Sequence, residues 1–209
     1  MIIAVDGPTA SGKGTLARQL AEHFGLPVLD TGLLYRAVGY QTQLNHGDAD
    51  NAADALAACD FPVSLLDDPA LRYETTGGLA SRVSVHPAVR AALFQRQVDF
   101  ANQPGGAVLD GRDIGTVIAP HADAKLFVTA SPEERARRRH AEMRGRGVDV
   151  TYDAVLADVH ARDARDTGRT DAPLIRAADA MLLDNSDMDK DAALAAAIAF
   201  IEGRRKHGS

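Results

Sequence analysis

Gly7-Pro8-Thr9-Ala10-Ser11-Gly12-Lys13-Gly14-Thr15 lies between a short apolar run at residues 2–5 and a segment in which Leu16, Leu20 and Phe24 recur at four-residue spacing. The apolar run predicts a strand, and the four-residue spacing predicts a helix that ends at Gly25. A glycine-rich loop between a strand and a helix is the context of a P-loop, in which backbone N–H groups and the helix N-terminus surround phosphate oxygens. We therefore expect residues 7–15 to bind ATP.

Two side chains of this loop suit the binding of a triphosphate. Lys13 places a positive charge where it can reach the β- and γ-phosphates, and the hydroxyl of Thr15 is the predicted ligand of Mg²⁺. Gly14 stands where serine or threonine usually follows the lysine, so the hydroxyl comes one residue later. The loop alone does not distinguish a kinase from an ATPase or a switch GTPase.

The rest of the chain alternates short apolar runs with helical periods, which is typical of an α/β fold with a parallel sheet and flanking crossover helices. Predicted strands lie at residues 2–5, 28–29, 107–109, 125–128 and 181–183. One helix is expected to begin after Ser131, which would cap it, with Glu134 completing a capping box. A last helix is predicted at about residues 191–204, followed by a frayed tail at 203–209. We expect a P-loop NTPase core.

The pattern changes between about residues 47 and 87, which we interpret as a small inserted subdomain. Short strands are predicted there at residues 61–66 and 71–75, around the turn Asp67-Asp68-Pro69, and Gly77-Gly78 is expected to interrupt the chain. A further charged and glycine-rich stretch, residues 144–147, predicts a mobile connection between two helices.

Composition and charge narrow the classes of function. Of 209 residues, 45% are apolar and 25% charged, and no apolar run approaches the roughly 18 residues of a membrane helix. A formal net charge of −6 argues against a dedicated nucleic-acid binder. Cys59 is the only cysteine, so one chain builds neither a disulfide nor a cysteine-based zinc site. Because the chain opens on a predicted strand without a secretory signal, we expect a cytoplasmic protein with no membrane or nucleic-acid partner.

Charged residues follow two of the predicted strands, at the edge of the sheet where ligands bind in such folds. Arg36 comes after the strand at 28–29, and Asp110-Gly111-Arg112-Asp113 comes after the strand at 107–109. Arg36 by itself is also compatible with an exposed helical arginine. Three of the four residues in the Asp-Gly-Arg-Asp run are charged, which is unfavourable in a hydrophobic core. The run therefore favours a functional site.

A third charged group lies near the end of a predicted helix. Offsets of three, four and seven from Arg162 place Arg165, Asp166 and Arg169 on one helical face, if the helix continues that far. The alternative is a solvated ladder of ion pairs on a surface helix. Three arginines with a single acid leave positive charge uncompensated, which favours an anionic ligand.

Together these segments resemble the bacterial-type cytidylate kinases. The resemblance rests on GPTASGKGT, DTGLLYR, LDGRDIGT, SPEERARRR and RDARDTGRTDAPL in that order, and it spans nearly the whole chain. It implies transfer of the γ-phosphoryl group of ATP to CMP or dCMP with Mg²⁺. It also implies one P-loop kinase domain over residues 1–209, in which the insertion at about 47–87 binds the monophosphate and about 135–166 form an arginine-rich lid.

The resemblance also implies roles for individual residues. It assigns the acceptor phosphate to Arg36, Arg112 and Arg169, and the sugar region to Thr31, Arg162 and Asp166. It assigns the cytosine to Ser81, Arg90 and Asp113. The alternative is that Asp113 only pairs with the neighbouring Arg112, and that Ser81 and Arg90 lie on the surface of the subdomain.

Phosphoryl transfer mainly requires alignment and neutralisation of charge. The residues expected to gather that charge are Lys13, Arg112, Arg135, Arg138, Arg139 and Arg165. An acceptor phosphate with a second pKa near ~6 is largely a dianion at neutral pH, so no general base is expected.

Alternative acceptors are UMP, AMP or shikimate. A P-loop regulatory or RNA-binding module is another alternative, although the sequence has no N-K-x-D motif and only 5% aromatic residues for stacking on bases. We expect a monomer.

Overall fold

A five-stranded sheet organises the protein, whose computed structural model describes residues 1–207. Its strands are β1 (Ile2–Asp6), β2 (Val28–Asp30), β3 (Ala107–Gly111), β4 (Ala124–Thr129) and β5 (Met181–Asp184). They lie in the order β2-β3-β1-β4-β5, and β1 pairs in parallel with both β3 and β4, as β4 does with β5. All five predicted strands are confirmed, and so is the α/β class.

Eight α-helices accompany the sheet over the described residues. They are α1 (Lys13–Phe24), α2 (Thr31–Leu44), α3 (Ala52–Ala57), α4 (Glu74–Val83), α5 (Pro87–Ala101), α6 (Pro132–Gly145), α7 (Tyr152–Gly168) and α8 (Lys190–His207). Helix α8 continues through His207, so the frayed tail predicted from residue 203 is wrong up to that point, and Gly208 and Ser209 lie outside the described residues. No helix within residues 1–207 is both long enough and apolar enough to cross a membrane.

The predicted helix boundaries around α1 and α6 are largely confirmed. Helix α1 is followed by Gly25, which has a left-handed φ of 64° and closes the helix with its own N–H. The Ser131 side chain caps α6 by accepting from the backbone N–H of Glu134 at 3.2 Å. The capping box is incomplete, however, because the Glu134 carboxylate binds Arg137 and Arg138.

One compact unit comprises Met1–Val28 and the chain from Ala101 onwards. Its main core lies where the sheet packs against helices α1 and α8. The buried residues at its centre include Ile3, Val5, Leu16, Leu20, Val108, Leu126, Val128, Ala197 and Ile201. A smaller cluster joins α6 to α7 through Ala136, Met143, Val155 and Val159.

The second compact unit is Leu29–Phe100, with a core of its own. Its centre includes Leu34, Val38, Leu71, Val83 and Leu93. The strands predicted at 61–66 and 71–75 are wrong, because 3₁₀ turns occupy Val63–Asp67 and Pro69–Arg72 and helix α4 follows. Short apolar runs do not by themselves distinguish a strand from a buried helical turn.

The glycine pair expected to interrupt this unit, Gly77 and Gly78, lies inside α4. Close packing between α2 and α4 depends on another glycine, Gly39 of α2. A Cβ at this position would lie 2.7 Å from the Cβ of Leu79 and 3.0 Å from its carbonyl carbon. Only glycine therefore allows this approach without a shift of α4.

We expect Gly39→Ala to lower the free energy of unfolding by about 1–3 kcal/mol, because the added methyl group overpacks the α2–α4 contact. Gly78→Ala is the matched control, since a Cβ there meets nothing within 4 Å. Alanine should instead raise stability there by about 0.5–1 kcal/mol through its higher helix propensity. Urea unfolding monitored by circular dichroism measures both changes, and a stabilised Gly39→Ala protein would contradict the packing argument.

Candidate active site

The predicted phosphate loop lies between the end of β1 and the start of α1. Lys13 is the first residue of α1 and is 9% exposed, and its Nζ donates to the Pro8 carbonyl at 3.4 Å. The Ser11 side chain is fully buried, and within the described residues its Oγ has no hydrogen-bond partner. Buried hydroxyl groups are rarely left unpaired, so this atom is an exception among the buried polar groups of the protein.

Asp110, at the end of β3, belongs to the Asp-Gly-Arg-Asp run for which the sequence analysis favoured a function, but it was given no role of its own there. Its carboxylate oxygen Oδ1 lies 3.8 Å from Lys13 Nζ, and the residue is 5% exposed. A Cβ at Gly14 would lie 2.9 Å from its other oxygen, Oδ2. A side chain at position 14 would therefore require the Asp110 carboxylate to shift. The signal available in the sequence was an acid at the end of a strand, within the LDGRDIGT segment.

The donors around Thr15 fit magnesium, which prefers oxygen ligands and usually shares them with nucleotide phosphates. The Thr15 hydroxyl accepts from Arg18 at 3.5 Å, at the edge of hydrogen-bonding distance, and the Asp110 carboxylate lies 3.8 Å from Lys13 Nζ. Within residues 1–207 no group of three or more His, Cys, Asp or Glu side chains could hold a metal ion by itself.

Asp6, at the end of β1, fixes the loop that follows β3. Its two carboxylate oxygens accept from the backbone N–H groups of Ile114 and Gly115, each at 2.8 Å. Burial raises the pKa of Asp6 to about 7, although these two hydrogen bonds act in the opposite direction. The clamped loop carries Arg112 and Asp113, the latter 4% exposed.

Asp166 of α7 joins two of the predicted phosphate-binding arginines. Arg112 Nε donates to Asp166 Oδ2 at 2.8 Å, and Arg169 Nη2 binds the other oxygen. Burial alone would raise the pKa of Asp166, but the charges of Arg112 and Arg169 lower it below its ordinary value. The structure thus brings Arg112 to Asp166 and Arg169, although Arg112 and Asp166 are 54 positions apart in the sequence.

The predicted helical face holds only in part. Helix α7 ends at Gly168, and Arg169 follows in an extended conformation, so it does not continue the helix. Arg162 is 7% exposed and lies 2.8 Å from Asp158, and Asp166 is 4% exposed. A solvated ladder of ion pairs is therefore the wrong description of this segment. Arg165 is half-buried.

The three arginines predicted for the lid lie on α6 and each contacts a carboxylate. Arg138 binds Glu134 at 2.6 Å and Asn185 through its two Nη groups, and Arg139 binds Glu142 at 2.7 Å. Arg135 is 3% exposed, and it binds the Asp163 carboxylate with two hydrogen bonds. Its guanidinium is thus held inside the protein, with a further bond to the phosphate loop.

The remaining predicted residues belong to the unit Leu29–Phe100. Thr31 is buried at the start of α2, and Arg36 donates to the carbonyls of Leu71 and Tyr73 at 2.9 and 3.1 Å. Ser81 is half-buried in α4.

Arg90, on α5 of the same unit, is 7% exposed, with its guanidinium carbon 5.8 Å from the centre of the Tyr35 ring. The suggestion that Arg90 lies on the subdomain surface is therefore wrong.

Comparison with known proteins places this arrangement in a family. The family model described as cytidylate kinase matches residues 3–202. A protein of Xanthobacter autotrophicus named cytidylate kinase is 60% identical over 98% of this chain and 99% of its own length, and one of Methylobacterium is 57% identical over 98% of both. A solved structure of an uncharacterised protein from Eubacterium ventriosum, 18% identical, covers 97% of this chain and 98% of its own with a TM-score of 0.57, which shows a shared fold. The phosphate loop, the ordered motifs and these matches together show that the chain belongs to the cytidylate kinase family.

Proposed function

We propose that the protein transfers the γ-phosphoryl group of ATP to CMP and dCMP. The observation that carries the proposal is the pair of guanidinium groups from Arg112 and Arg169 on the single carboxylate of Asp166. The shared carboxylate orients two guanidinium groups, and a guanidinium can bind phosphate oxygens through two parallel hydrogen bonds. Lys13 supplies a second centre of positive charge at the phosphate loop, so donor and acceptor phosphates each have a basic site. The names of the relatives support cytidine as the nucleoside.

The acceptor phosphate needs no general base, because it is largely a dianion at neutral pH and is already nucleophilic. The protein must align the two phosphates and neutralise the charge that spreads over the migrating group. We assign that neutralisation to Lys13, Arg112 and Arg165, with Arg138 and Arg139 of the lid. Ordering of these arginines by carboxylates before substrate arrives would reduce the entropy lost on binding.

Thr15 and Asp110 are the residues that would hold Mg²⁺ together with ATP. When bound, the metal neutralises phosphate charge during transfer. Arg36, with Arg112 and Arg169, is proposed to bind the acceptor phosphate, and Thr31, Arg162 and Asp166 to bind near its sugar.

Recognition of cytosine is proposed to depend on Ser81, Arg90 and Asp113. Cytosine has an amino group at C4 that donates, whereas uracil has a carbonyl there and a protonated N3. An ionised Asp113 would accept from the amino group, and Arg90 and Ser81 would donate to the acceptors at N3 and O2. Uracil would leave such buried groups unpaired, which costs about 1–3 kcal/mol for each group.

The same proposal includes a monomeric protein that works in the cytoplasm without a nucleic-acid partner. Its negative net charge of −6 is unfavourable for binding a phosphate backbone. The carboxylates that face the arginines of α6 have the same effect locally.

The defining experiment is ADP release in the presence of ATP and Mg²⁺, measured with CMP, dCMP, UMP, AMP, GMP and shikimate. We expect CMP and dCMP to give the highest kcat/KM. Equal or faster turnover of AMP would overturn the assignment. ATP alone should be hydrolysed slowly, and retention on RNA that falls as salt rises would instead support the nucleic-acid alternative.

Arg112→Lys should lower kcat/KM for CMP by roughly 10- to 150-fold, corresponding to about 1.5–3 kcal/mol of lost interaction. Lysine keeps the charge but has no Nε to bind Asp166 and no planar pair of donors for a phosphate. Arg137→Lys is the matched control, because Arg137 is an exposed arginine with a 69% accessible side chain that binds only Glu134 in the described contacts. Unchanged dependence on CMP in Arg112→Lys would indicate a purely structural arginine.

Arg90→Met and Asp113→Asn should each reduce the ratio of the CMP and UMP specificity constants by roughly tenfold, since each removes one polar contact that distinguishes the bases. Arg82→Met is the control variant in the same unit as Arg90. It also replaces an arginine by methionine, but the Arg82 guanidinium pairs with the exposed carboxylates of Asp48 and Asp50 and has no proposed role in binding cytosine. If both test variants keep the original ratio, cytosine is selected by other residues.

A further inference from the structure

Two carbonyl groups of the phosphate loop accept hydrogen bonds from side chains that lie outside the loop. Arg135 Nη1 of α6 donates to the Thr9 carbonyl at 3.2 Å. Asn185 Nδ2, one residue beyond β5, donates to the Ser11 carbonyl at 2.9 Å in a buried contact. The loop is therefore held at two alternate peptide groups by residues from distant parts of the sequence.

Each of these contacts also sets the direction of an N–H group. In a planar trans peptide the carbonyl oxygen and the following N–H point to opposite sides. Holding the Thr9 carbonyl therefore directs the Ala10 N–H away from Arg135, and holding the Ser11 carbonyl directs the Gly12 N–H away from Asn185. Such N–H groups are the ones with which a P-loop binds phosphate.

Both of these peptide groups precede a residue in a left-handed conformation. Ala10 has φ of 58° and Gly12 has φ of 85°. Ala10 carries a Cβ, so this conformation costs free energy and persists only where the surroundings impose it. The hydrogen bond to the Thr9 carbonyl fixes the peptide group before Ala10, and the one to the Ser11 carbonyl fixes the peptide group before Gly12. Both bonds therefore restrict rotation about the φ angles of these two residues.

The two donors are themselves fixed by other parts of the protein. Arg135 Nε donates to the Ala130 carbonyl at 2.9 Å, and its Nη groups bind Asp163 of α7 at 3.0 and 2.6 Å. Asn185 accepts from Arg138 at both its side-chain oxygen and its carbonyl, and its own N–H donates to the Thr129 carbonyl. The loop is thus attached to β4, α6 and α7.

We propose that Asn185 and Arg135 are positioning residues, which orient the phosphate-binding N–H groups of the loop through the Ser11 and Thr9 carbonyls. Arg135 additionally couples the loop to α7 through Asp163, next to Arg162. This inference rests on the proposed binding of ATP by the loop. It gives Arg135 a different role from the one expected from the sequence, because its buried guanidinium acts on the backbone of the loop and not on the migrating phosphoryl group.

The first test uses Asn185→Ala. We expect the Kd for ADP, measured by isothermal titration calorimetry, to rise roughly 5- to 20-fold, the range for loss of one buried hydrogen bond. The KM for ATP should rise with it, while the KM for CMP stays within about twofold. Ser186→Ala is the matched control, because its hydroxyl binds Asp184 and the Ser131 N–H in the same segment and makes no described contact with the loop. It should retain the original ADP affinity.

An ADP affinity of Asn185→Ala within twofold of the unaltered protein would overturn the proposal. So would an equal rise in the KM values for ATP and CMP, which is the result expected from a general loss of structure. Failure of the unaltered protein to bind ADP would instead overturn the proposed function, so the two failures are distinguishable.

Arg135→Lys tests the second contact separately. Lysine retains the positive charge and a partner for Asp163, but it cannot bind Asp163 and the Thr9 carbonyl in the same planar geometry. We expect it to weaken ADP binding by roughly 5- to 20-fold. If Arg135→Lys binds ADP as tightly as the unaltered protein and has the same kcat, a positive charge alone suffices at this position. That result would overturn the positioning role of Arg135.

Discussion

The carboxylate of Asp6 is the point on which the arrangement of the larger unit depends. Asp6 is the last residue of β1, the central strand of the sheet. Its carboxylate accepts from two consecutive backbone N–H groups of the loop beyond β3. Burial of a carboxylate is costly, and its raised pKa of about 7 reflects that cost. The two hydrogen bonds offset part of it and hold the loop with Arg112 and Asp113 beside the strand that leads into the phosphate loop.

Carboxylates also determine where the basic side chains of this unit lie. Asp166 holds Arg112 and Arg169, and Asp163 holds Arg135. A guanidinium group bound in this way has lost most of its rotamer freedom before any ligand arrives. An acidic protein with a net charge of −6 can therefore hold ordered guanidinium groups, because its carboxylates orient these arginines.

The conformation of the phosphate loop depends both on its own residues and on side chains from distant parts of the sequence. Glycine at position 14 leaves space for the Asp110 carboxylate, and the strained Ala10 is bordered by a peptide group that Arg135 holds. The order of residues 7–15 makes a phosphate loop possible. The shape of the loop in the folded protein also depends on side chains from β3, α6 and the segment after β5.

The sequence by itself determined the five strands, the ends of α1 and the start of α6, because each follows from side-chain spacing or capping within a few residues. Its ordered motifs also determined the family. Only the tertiary structure showed that 3₁₀ turns occupy Val63–Asp67 and Pro69–Arg72 in place of the predicted strands. There the burial of Leu65 and Leu71 in the core of the second compact unit outweighed the strand preference of the short apolar runs. The tertiary structure alone identified Asp6 and Asn185 and the proximity of Asp110 to Lys13, since these contacts depend on partners brought near by folding. Asn185 and Ser11 are 174 residues apart, and no pattern of local spacing relates two residues at that distance.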